Sequence, residues 1–88
     1  MSALIPDRLA DLLRALDHIP YAGRLDAIVN EVIETGGVYR VPNAASAGAR
    51  FYCELHLHGV IGTGRDEAAM IENWIEAARA HMARLKAA

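Results

Sequence analysis

Apolar residues recur along this chain in two rhythms, and the order of the rhythms outlines a fold. Leu9, Leu12, Leu13 and Leu16 follow the i, i+3, i+4, i+7 spacing, with Ile5 one turn earlier. That spacing predicts a helix from Pro6 to about Asp17 carrying one apolar stripe. Proline suits a first helical position, where its missing N–H would have no partner anyway, and Ile19-Pro20 stops the helix. Leu25, Ile28, Val29 and Val32 repeat the pattern, with Ile33 widening the stripe. They predict a second helix from Ala22 to Thr35, ended by Gly36-Gly37.

The rhythm then changes. Val38 to Val41 reads as a short strand closed by Pro42, and Asn43 to Ala49 as a loop of small residues. From Arg50 to His58, Phe51, Cys53, Leu55 and Leu57 alternate with Tyr52, Glu54, His56 and His58. A period of two places these sets on opposite faces of a strand, as in an antiparallel sheet covered on one side. Gly59 marks a turn, and Val60-Ile61 a third short strand before Gly62-Thr63-Gly64. A last helix is predicted from about Arg65 to Lys86. Ala68, Ile71, Ile75, Ala78, Met82 and Leu85 form its stripe, with Trp74 beside it. Asp66 and Glu67 start it and Arg84 and Lys86 finish it, as the helix dipole favours. The expected class is α+β in the order α-α-β-β-(β)-α, a small antiparallel sheet with helices packed on one face. Residues 1–88 read as a single small domain, with 1–20 an N-terminal helical extension and 21–88 the core.

Composition narrows the function classes. The 88 residues are 53% hydrophobic and 23% charged, a globular balance. So short a chain buries roughly 60–65% of its unfolded surface, which leaves little stability to spare and makes self-association an easy remedy. Nine basic residues stand against eleven acidic ones, for a net charge of −2. Nucleic acid is therefore disfavoured as a partner unless arginines gather locally. Met1 to Pro6 is short and charge begins at Asp7, so no signal peptide is expected. No apolar run approaches the roughly 20 residues that span a bilayer. The reading is a cytoplasmic protein with no membrane partner. The high Ala and Arg content fits a bacterial, GC-rich genome.

Few residues offer chemistry. Cys53 is the single cysteine, which excludes an internal disulfide and a cysteine-cluster metal site. Its place among leucines reads as core packing. His56 and His58 share a predicted strand face with Cα atoms roughly 6.5–7 Å apart. They are the candidate metal ligands, although catalytic zinc needs a third; the polar face of a half-buried strand is the reading preferred over a metal site. Ser2, Ser46, Thr35 and Thr63 lie in no nucleophile turn. Gly62-Thr63-Gly64 lacks the lysine of a phosphate loop, and Asp66 and Glu67 would repel a phosphate. No cofactor is implied.

From about residue 24 to 84 the element order resembles the double-stranded RNA-binding domain. Ile28-Val29-Asn30-Glu31-Val32, Tyr39, Gly48-Ala49-Arg50-Phe51, Gly62-Thr63-Gly64 and Ala69 are similar to residues of that family. The resemblance implies an α-β-β-β-α fold, and of the family's RNA contacts only Glu31 has a counterpart here. Binding of RNA through Arg24, Glu31, Arg50 and Arg65 would require Arg24, Arg40, Arg50 and Arg65 to gather on one face. The family's lysine cluster at the start of its last helix is replaced here by Asp66-Glu67-Ala68-Ala69-Met70, which argues against the usual grip on phosphate. Tyr52 to Met82 also resembles the HicB-like antitoxin group through its strand, glycine turn, Glu72-Asn73 and Ala77.

The reading is a small non-enzymatic interaction or regulatory module whose partner is another protein or a second copy of the chain. Leu9, Leu12, Leu16 and Tyr52 are its expected contact residues. A homodimer through the first helix would bury leucines that the second helix, committed to the sheet, leaves over. Binding of structured RNA and a metal-dependent role for His56 and His58 are the alternatives.

Overall fold

The computed structural model describes residues 4–41 and 52–87, with side chains from Arg8 onward. Arg50, Phe51, the small-residue loop and the side chain of Ile5 lie outside the described residues. The order is α1 (Leu4–Asp17), α2 (Tyr21–Thr35), β1 (Val38–Arg40), β2 (Cys53–Leu57), β3 (Val60–Gly64) and α3 (Glu67–Ala87). The strands form one antiparallel sheet in the order β1-β2-β3. The class is α+β, with α2 and α3 against one sheet face.

The period-two pattern of β2 sets that face. Cys53, Leu55 and Leu57 are buried, while Glu54 and His56 alternate with them at half-burial. β3 includes Gly62 and Gly64, which sequence alone reads as a loop leading into the last helix. The reason is space. A Cβ at Gly62 would stand 2.6 Å from the Cα of Trp74, and one at Gly64 would collide with the backbone nitrogen of Met70. The glycines let α3 lie directly on β3. Trp74 belongs to the centre and not to the edge of the apolar stripe: it is fully buried, and its indole N–H donates to Val60 O at 3.2 Å. Met70, Ile71, Ile75 and Ala78 surround it in the core, while Ala68 at the stripe's start is exposed.

The first helix behaves differently from its sequence expectation. Leu9, Leu12, Leu13 and Leu16 are at most 8% exposed and belong to the same core cluster as Leu55 and Trp74. Leu9, Leu12 and Leu16 are therefore interior residues and not a contact surface. The short Ile19-Pro20-Tyr21 connection makes docking on α2 the simplest expectation, but α1 lies closest to α3. Arg79 on α3 pairs with Asp17, and polar links reach α2 through Arg8 and through Arg24, whose Nε donates to Leu16 O at 3.1 Å. On α2, Ile28 and Val32 are buried, but Ile33 is 74% exposed. It falls on the outward side with Asp26 and Asn30, so it widens no stripe. Gly36, at φ 80°, caps α2, and the N–H groups of Gly36 and Gly37 both return to Val32 O.

Candidate functional site

Strands β2 and β3 are joined by His58 and Gly59 alone, with φ of 54° and 76°. A two-residue link with positive φ at both positions fits the twist of an antiparallel hairpin. Gly59 takes that conformation freely, whereas a histidine there is uncommon. The turn redirects the His58 side chain. Instead of continuing the alternation beside His56, the imidazole swings to the helix side. It is only 5% exposed, and Nε2 donates to Glu31 Oε2 of α2 at 2.6 Å. His56 stays on the strand, opposite Val38 and Ile61. The shared-face metal pair is thereby overturned. Among the described residues no group of three His, Cys, Asp or Glu side chains could hold a metal ion.

Glu31 gathers three elements. It accepts from His58 and also from Arg8 Nε at 2.7 Å, while Arg8 Nη2 reaches Glu34 at 2.8 Å. Burial pushes the Glu31 carboxyl up, but hydrogen bonds from Arg8 and His58 and their charge outweigh it and hold the group below its ordinary value. The same contacts raise Arg8. Glu31 is thus engaged in holding the hairpin and α1 to α2.

Among the described residues, no helix lies on the other sheet face. Cross-strand register places Val38, His56 and Ile61 in one row, and Arg40, Glu54 and Thr63 in the next. Val38 is 37% and Ile61 58% exposed. Arg40 Nη1 pairs with Glu54 Oε2 at 3.3 Å. Tyr52, half exposed, precedes β2 on the same alternation. A groove of about 560 Å³ opens at the hairpin end, running from Thr35 and Gly36 past Val38 and His56 to Ile61. Its walls are largely apolar, and the His56 ring is its one titratable group besides His58.

The remaining sequence candidates disperse. Arg24 lies on the helix side, in a second groove with Glu72, Glu76 and Arg79. Arg40 lies on the open face, and Arg65 is exposed between β3 and α3. Arg24 and Arg40 thus occupy opposite sides of the sheet and do not gather. Cys53 faces the core, where burial and then the charges of Glu67 and Asp66 push its thiol pKa up. That keeps it protonated and poorly nucleophilic. Tyr39 donates its hydroxyl to Glu67, and burial together with that bond raises its pKa.

Sequence reasoning missed the Arg8–Glu31–His58 link and the Val38–Ile61 row. A signal existed for part of this: two residues, His58-Gly59, between apolar positions 57 and 60 are a hairpin spacing. No protein-family model, curated protein or solved structure matches the chain. No helix among the described residues is long and apolar enough to cross a membrane.

Proposed function

We propose that the chain is a small non-enzymatic interaction module that binds a protein through the open face of its sheet. The observation that carries this reading is the Val38–His56–Ile61 row, two exposed aliphatic side chains flanking an imidazole where a half-buried sheet ordinarily presents polar residues. Tyr52 extends the same face, and the apolar groove adjoins it. Aromatic and aliphatic groups set among polar ones are the usual make-up of a contact patch.

The test is a photo-reactive benzophenone side chain placed at Ile61 in living cells, with a second chain carrying it at Arg84 on the exposed end of α3. A protein adduct forms from position 61 and none from position 84. If position 61 yields no adduct, the reading fails.

A further inference from the structure

We draw no further inference here: the strongest candidate, the Arg8–Glu31–His58 side-chain cluster that fastens the β2–β3 hairpin to α2 and α1, belongs to the site already described, and its three side chains already partner one another.

Discussion

The two edges of the sheet are held by different means. Over β3, α3 lies so close that Gly62 faces the Trp74 backbone, and five α3 residues fill the core. Over β1, α2 contributes Ile28 and Val32 and leaves Ile33 in water. What ties that side to the hairpin and to α1 is a carboxylate, Glu31, between His58 and Arg8. A chain of 88 residues has limited apolar material. Here it is concentrated at one edge, and directional polar contacts orient the other. Apolar packing is insensitive to pH, whereas a carboxylate link titrates.

That contrast is open to attack. Trp74→Ala has the largest expected effect, a loss of about 3–5 kcal/mol for an aromatic removed from a core, read from urea midpoints. A loss near that of an ordinary surface substitution would break the claim that the β3 edge dominates. Gly62→Ala comes next. The methyl has no free space beside Trp74, and overpacking costs about 1–3 kcal/mol; it is measured as a fall in Tm with an unchanged spectrum. Glu31→Gln is smaller and depends on pH. The native carboxyl titrates below its ordinary value of 4.5, so its contribution is complete above that pH and is lost as pH falls through the depressed value. The gap in urea midpoint between wild type and Glu31→Gln is therefore present at neutral pH and closes as pH falls below 4.5 through the depressed value. A gap that widened in acid would reverse the sign and discard the link. Ile33→Lys is the smallest, within about 0.5 kcal/mol as for other exposed positions. A larger loss would show that the α2 edge holds hidden apolar contact.

Much of this architecture is legible in the residues. The alternation at Cys53, Leu55 and Leu57 fixes the strand and its inner face, and the spacings of three and four give all three helices. The rest was hidden for physical reasons. An apolar stripe tells which side of a helix is buried and is silent on what covers it, so Leu9 and Leu16 pointed to α2 or to a second chain and not to α3 in particular. Gly62 and Gly64 read as a turn because glycine favours turns, yet they are needed for the approach of a helix backbone further along the chain, at Trp74 and Met70. His58 continued the alternation on paper; the positive φ that redirects it is a demand of the two-residue link. On the candidate site, His56 and Tyr52 were visible as polar-face residues. The exposure of Val38 and Ile61 followed only from cross-strand register.

The glycines of β3 also bear on how the chain folds. Leu55 stands opposite Gly62 and Cys53 opposite Gly64, so the hairpin has no cross-strand side chain at two of its inner positions. Alone it lacks the contacts that keep a two-stranded ribbon together. The missing surface comes from α3, which follows directly in sequence, with Trp74 only 14 residues from Val60. Hairpin and α3 thus have reason to form in one step, as a nucleus built from near neighbours along the chain. The contact between α1 and α3, spanning 62 residues from Asp17 to Arg79, is added afterwards. Truncating Trp74 should then slow folding, while truncating Leu9 should chiefly quicken unfolding. The same glycines that admit a helix to the sheet make the strand dependent on that helix for its existence.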